Sequence, residues 1–90
     1  MATRARGIGK TVHSPEQAAF RSLMAEVRQN AGLTQQELAK RLKRPQSFVA
    51  KYEGGERWID VIEFVKIVRA MKADPASVFR ALMRRLGTSG

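Results

Sequence analysis

The chain has no cysteine. That excludes disulfides and thiolate metal sites, and it fits a reducing compartment. It has no apolar run long enough to span a bilayer, and its N-terminus lacks the apolar centre of a secretory signal. These absences set the expectation of a cytoplasmic protein with no membrane partner. Histidine occurs once, as His13, in a segment where a solvated side chain is the simple reading. The few carboxylates have structural uses, with Glu37 and Glu63 at capping positions and Asp60 and Asp74 at helix starts. The only glycine-rich basic stretch, "GIGK", is too short for a phosphate-binding loop and follows no strand. Without placed acids, bases, nucleophiles or metal ligands the chain is not expected to be an enzyme, and no cofactor or metal is expected. No segment alternates apolar and polar residues long enough to make a strand, so the fold is expected to be all-α.

Against this thin background one excess stands out. Seventeen lysines and arginines face eight acids, a net charge of +9 on 90 residues. Such an excess favours polyanionic partners, nucleic acid foremost. The length supports one domain. Residues 1–13, "MATRARGIGKTVH", carry Arg4, Arg6 and Lys10 without a helical stripe and read as a flexible basic arm. Residues 14–86 make up the domain, and residues 87–90 a frayed end.

Helix-start signals recur through the domain. Ser14, Pro15 and Gln17 form a capping box with proline at the first helical position. The stripe Phe20, Leu23, Met24, Val27 and Ala31 follows, up to Gly32. Thr34 and Glu37 form a second box ahead of "QQELAKRL", and Asp60 and Glu63 a third. The helix after Asp60, "VIEFVKIVRAMK", is apolar around most of its circumference and is expected to lie buried at the centre of the domain. Asp74–Pro75 opens a fifth helix with Val78, Phe79, Leu82, Met83 and Leu86 on its apolar side.

In "TQQELAKRLKRPQSFVAKYEGG" two short helices meet at a corner of about three residues, the spacing of a helix-turn-helix. Ala39 is the small residue where they cross, and Val49 the plug opposite. On a wheel of about 100° per residue, Gln46, Ser47, Ala50 and Lys51 share one arc, and Phe48, Val49, Tyr52 and Glu53 the other. The first arc is polar or small. Glutamine can bond adenine bidentately, lysine can donate to guanine, serine reaches either, and alanine admits a thymine methyl. The same residues would also suit a plain solvated face. The flanks favour DNA. Lys40, Arg41, Lys43 and Arg44 crowd the corner at a cost in mutual repulsion that a polyanion relieves. The helix start at Thr34 and Gln35 offers free N–H groups to a phosphate, and Arg57 follows beside Trp58.

"VRQNAGLTQQELAKRL" and "QSFVAKYEGGER" resemble the Cro/repressor-type helix-turn-helix of the XRE family, and the likeness extends loosely through "DVIEFVKIVRAMKADPASVF". It covers about residues 18–82. The resemblance implies a compact five-helix, lambda-repressor-like domain with a central helix-turn-helix. It further implies sequence-specific binding to a double-stranded DNA operator, usually as a homodimer. It places base reading on Gln46, Ser47 and Lys51, with Ala50 nearby, and a phosphate contact on Gln35. Thr34, Lys43, Arg44 and Arg57 are the further phosphate candidates. The resemblance also implies a structural ion pair between Arg28 and Glu53. Two residues depart from the family pattern. The corner usually holds glycine and then an aliphatic plug, where this chain has Lys43 and Arg44. Lys43 is then expected to take a conformation that suits glycine, and Pro45 or Phe48 to cover the gap left by the missing plug.

The expected function is a transcriptional regulator of the repressor type, associated with the nucleoid. The alternative is an antitoxin or transcription adaptor whose main partner is another protein, such as a toxin. RNA binding ranks lower, because the aromatics that would stack on bases fall on inward faces, Trp58 excepted. The apolar side of the last helix, Phe79, Leu82, Met83 and Leu86, suggests a homodimer interface.

Overall fold

A computed structural model describes residues 14–87, and within them lie five helices and no strand. They are α1 (Pro15–Asn30), α2 (Gln35–Leu42), α3 (Gln46–Glu53), α4 (Val61–Ala70) and α5 (Pro75–Arg85). The arm expected at 1–13, His13 included, and the last three residues lie outside the described residues.

The helix starts follow from side-chain chemistry. Thr34 Oγ1 accepts from the Glu37 N–H while Glu37 Oε1 accepts from the Thr34 N–H, a complete capping box. Asp60 and Glu63 repeat it at α4. Asp74 caps α5 through the Ser77 N–H and hydroxyl. The box expected at α1 is only half formed. Ser14 Oγ accepts from the Gln17 N–H at 3.1 Å, but no bond returns from the Gln17 side chain to Ser14. Proline at the first position of α1 already fixes the entry angle without the second bond.

One core holds the helices together. Met24 of α1, Leu38 and Ala39 of α2, Val49 and Tyr52 of α3, and Ile67 and Val68 of α4 are essentially inaccessible, with Met71 and Val78 beside them. Ala39 and Val49 are buried together where α2 packs on α3, so the short corner is matched by a small residue at the crossing. Arg41 reaches from α2 to donate to the Ala70 carbonyl at 2.8 Å, satisfying a group at the end of α4.

The expectation of a central α4 is corrected. Only Ile67 and Val68 of this helix are fully buried, while Val61 is 74% and Ile62 63% exposed. α4 packs chiefly on α2 and α5, with Phe64 also facing the Phe20 ring of α1 at 6.0 Å, and these contacts leave the outer side of its first turn uncovered. High apolar content around a helix identified a hydrophobic element but not which side of it the chain covers. Exposed Phe79 and Met83 of α5, and Leu86 just past its end, add to the uncovered apolar surface.

The helix-turn-helix face as a candidate nucleic-acid interface

The corner between α2 and α3 turns on Lys43, which caps α2 in the left-handed conformation (φ 57°, ψ 42°). Its N–H donates to the Lys40 carbonyl, and that of Arg44 to the Ala39 carbonyl, closing α2 as a glycine would. Pro45, extended at φ −66°, then admits α3.

α3 is divided as its sequence predicts. Phe48, Val49 and Tyr52 are buried, whereas Gln46, Ser47 and Lys51 are exposed and Ala50 is half-buried. The Tyr52 ring packs edge-on against Phe48 at 5.5 Å, and burial pushes its hydroxyl pKa well up, so it remains a neutral core residue. Gly55 ends the segment at φ 82°, where an added Cβ would meet the Arg21 guanidinium at 3.1 Å.

The orientation of α3 is set by Glu53 at its last position. Arg28 Nε donates to Glu53 Oε2 at 2.8 Å and Arg28 Nη2 to Oε1 at 3.1 Å, while Arg28 Nη1 donates to the Leu33 carbonyl at 2.7 Å. The Glu53 carboxylate raises the Arg28 pKa. Gln35 joins this pair: its Nε2 donates to Glu53 Oε1 at 2.9 Å, and its Oε1 accepts from Gln46 Nε2 at 3.4 Å. A chain of hydrogen bonds therefore runs from α1 through the start of α2 to the first residue of α3. The sequence offered Gln35 as a phosphate contact and Gln46 as a base reader but gave no sign of this link.

The phosphate candidates do not stand alike. Lys43 is exposed at the corner. The N–H groups of Thr34 and Glu37 are taken by the capping box, which leaves the N–H groups of Gln35 and Gln36 and the Thr34 hydroxyl hydrogen as donors at that helix start. Arg44, standing where an aliphatic plug is missing, lines an open cleft of about 120 Å³ with Leu42, Phe48, Glu63, Lys66 and Ile67. Its guanidinium lies 4.4 Å from the centroid of the Phe48 ring, and that of Arg57 lies 4.7 Å from it. Both arginines face Glu63: Arg57 Nη1 and Nη2 donate to its two oxygens at 3.1 and 3.0 Å, and Arg44 Nη2 is 3.5 Å from Oε2. Arg57 also donates to the Trp58 carbonyl. Held this way, Arg57 has its pKa raised by Glu63, and Glu63 has its own lowered, chiefly by Arg57.

Among the described residues no cluster of His, Cys, Asp or Glu could hold a metal ion, and no helix is long and apolar enough to cross a membrane. The face is built for hydrogen bonding and for positive charge.

Residues 24–78 match the Helix-turn-helix family. An XRE-family like protein from Pseudomonas syringae pv. tomato str. DC3000 has a solved structure similar to this one, with a TM-score of 0.75 and 47% identity over 83% of this chain and 92% of that one. The chain belongs to the XRE family of helix-turn-helix proteins. No curated protein is significantly similar to it. As an XRE-family domain it is a DNA-binding module, and in this fold α2 and α3 are the two helices of the motif.

Proposed function

We propose that the protein is a sequence-specific regulator of transcription, acting as a repressor, that reads the major groove of double-stranded DNA with α3. The observation that carries this reading is the division of α3. Its inner side is sealed into the core and its outer side shows Gln46, Ser47, Ala50 and Lys51, all suited to base edges. Lys43, Arg44 and the α2 start at Gln35 lie around it, where phosphate contacts fix register. Arg57 buttresses the same edge through Glu63 and Phe48.

Selection of bound sites from a pool of random duplexes tests the reading. The expected result is a defined sequence, bound with an affinity that falls steeply with salt as counterions are released. Negligible binding to every duplex at low salt would sink it.

The protein is further proposed to act as a homodimer. Val61, Val65, Phe79 and Leu82 line an apolar groove of about 420 Å³ between α4 and α5, and Ile62 and Met83 are exposed on the same two helices. Asp74 caps the start of α5, and Arg84 lies in its last turn. An antiparallel second copy therefore sets acid against base and opposes the helix dipoles. Pairing by such a self-complementary patch gives a palindromic operator. The same apolar face supports the second reading, in which a partner protein such as a toxin covers it. A purified chain that stays monomeric but co-purifies with a stable partner would favour that reading.

A further inference from the structure

We propose that Glu63 sets DNA specificity: its carboxylate takes the place beside Arg44 and Arg57 that a DNA phosphate would occupy, and so restrains sequence-independent binding. The inference rests on reading these arginines as backbone contacts.

Glu63 is fixed before any ligand arrives. Its N–H donates to Asp60 Oδ1 at 2.7 Å and its Oε1 accepts from the Asp60 N–H at 3.0 Å. With the helix start locked, the carboxylate, 18% exposed, faces both guanidiniums. Those guanidiniums also lie against Phe48, a buried residue of α3, so the assembly is tied to the reading helix itself. A guanidinium fork grips carboxylate and phosphate in the same planar manner, which makes Glu63 a chemical stand-in for a phosphate.

The two arginines are not equally held. Arg57 gives two hydrogen bonds to Glu63 and one to the Trp58 carbonyl. Arg44 is 44% exposed and meets Glu63 only through a loose ion pair at 3.5 Å. A duplex draws Arg44 away first and leaves Arg57 on Glu63. Glu63 balances one of the two guanidinium charges, with the Asp60 carboxylate also acting on Arg57. Removing the Glu63 charge raises the net positive charge of this edge by one and frees Arg57 for a further phosphate. The affinity gained in that way carries no sequence information.

Glu63→Gln tests this, because glutamine also serves the third position of a capping box while the charge is gone. Binding of wild type and variant is measured across a range of KCl concentrations, to the selected operator and to a mixed-sequence duplex. The expected result is a several-fold rise in affinity for the mixed-sequence duplex at low salt. The logarithmic salt slope steepens by about 0.9 for the added phosphate contact, and the ratio of operator to mixed-sequence affinity falls. Glu63→Asp, which keeps the charge, returns the slope toward wild type. A slope and ratio unchanged in E63Q, or a loss of affinity for both duplexes, overturns the proposal. A second measurement needs no variant. On adding the mixed-sequence duplex to wild-type protein, the Arg44 side-chain Nε–H resonance shifts while that of Arg57 stays, and the reverse pattern overturns the proposal. Wild type that binds neither duplex at low salt defeats the reading of the arginines as backbone contacts. Wild type that binds while E63Q leaves the slope unchanged defeats the role of Glu63 alone.

Discussion

Arg28 and Glu53 stand 25 positions apart and form a two-pronged ion pair, with Nε 2.8 Å from Oε2 and Nη2 3.1 Å from Oε1. The side chains are 11% and 8% exposed, so the pair is largely shielded from water. It ties the last turn of α1 to the end of α3. Arg28→Met leaves the Glu53 carboxylate facing only the Gln35 amide, and breaking such a pair costs about 3 kcal/mol. Chemical denaturation of the variant should show that loss. Because α3 is no longer held at its end, operator affinity should fall more than affinity for a mixed-sequence duplex. A variant as stable as wild type would show that the pair contributes little.

Lys43 and Lys72 both hold positive φ, 57° and 61°. An L-residue in the left-handed region pays about 1–2 kcal/mol, and glycine gives back part of that relief through the freedom of its unfolded chain. Lys43→Gly and Lys72→Gly should therefore each stabilise the fold by roughly 0.5–1 kcal/mol in thermal or denaturant unfolding. The two variants separate conformation from charge. Lys43 lies at the proposed DNA face, so K43G should also lower affinity for every duplex, whereas Lys72 follows α4 and K72G should leave binding unchanged.

The strain at Lys43 was legible because the helix-turn-helix pattern marks the position as one that suits glycine. That at Lys72 was not, since "RAMKADP" carries no glycine to mark the stop. The inward and outward sides of α3 were likewise legible, because eight residues at helical spacing divide into one polar and one apolar arc. Three things escaped the sequence. The exposure of Val61 and Ile62 depends on which neighbours reach the first turn of α4. The capture of Arg57 by Glu63 depends on a loop folding back on a helix start. The link from Gln35 to Gln46 depends on how closely α2 and α3 approach. Each is a relation between elements, and periodicity within one element cannot express it.

The lowered Glu63 pKa makes a pH prediction with a definite sign. A carboxylate whose folded pKa lies below its unfolded value stabilises the fold above the unfolded value and loses that contribution as pH falls through the folded one. For Glu63 the contribution is complete above the ordinary glutamate value of 4.5 and fades at more acid pH, with the Arg57 hydrogen bonds as the main cause. Stability measured against pH should fall less steeply on the acid side in E63Q than in wild type. Identical acid limbs would show that Glu63 contributes nothing to the pH dependence.

Base reading and backbone contact separate by the form of their losses. Lys51→Ala and Gln46→Ala should each change preference at one operator position by about 1–3 kcal/mol. Arg44→Ala should weaken all duplexes alike and make the salt slope shallower by about 0.9. Gln46 needs one further comparison, because its amide also bonds Gln35. Gln35→Ala removes that bond, together with the Gln35 bond to Glu53, but keeps the Gln46 amide itself, so a change in sequence preference shared by Q35A and Q46A marks positioning of α3 and of the Gln46 side chain. A change confined to Q46A marks a direct base contact. Uniform weakening by Lys51→Ala would move Lys51 from the reading set to the backbone set.

The dimer proposal turns on a residue the fold itself scarcely needs. Phe79 is half exposed on α5, and substitutions at such positions usually change monomer stability by no more than about 0.5 kcal/mol. In the proposed interface the same ring is covered by a second copy, so Phe79→Glu buries a charge there. Sedimentation should show wild type as a dimer and F79E as a monomer, with the unfolding of the F79E monomer still cooperative. Operator affinity should fall with it, because one domain then holds one half-site without its neighbour, while affinity for an isolated half-site should stay as it was. Equal loss on both DNAs would mean that the substitution has damaged the domain. A wild-type chain that remains monomeric at high concentration would leave the apolar face to a different protein.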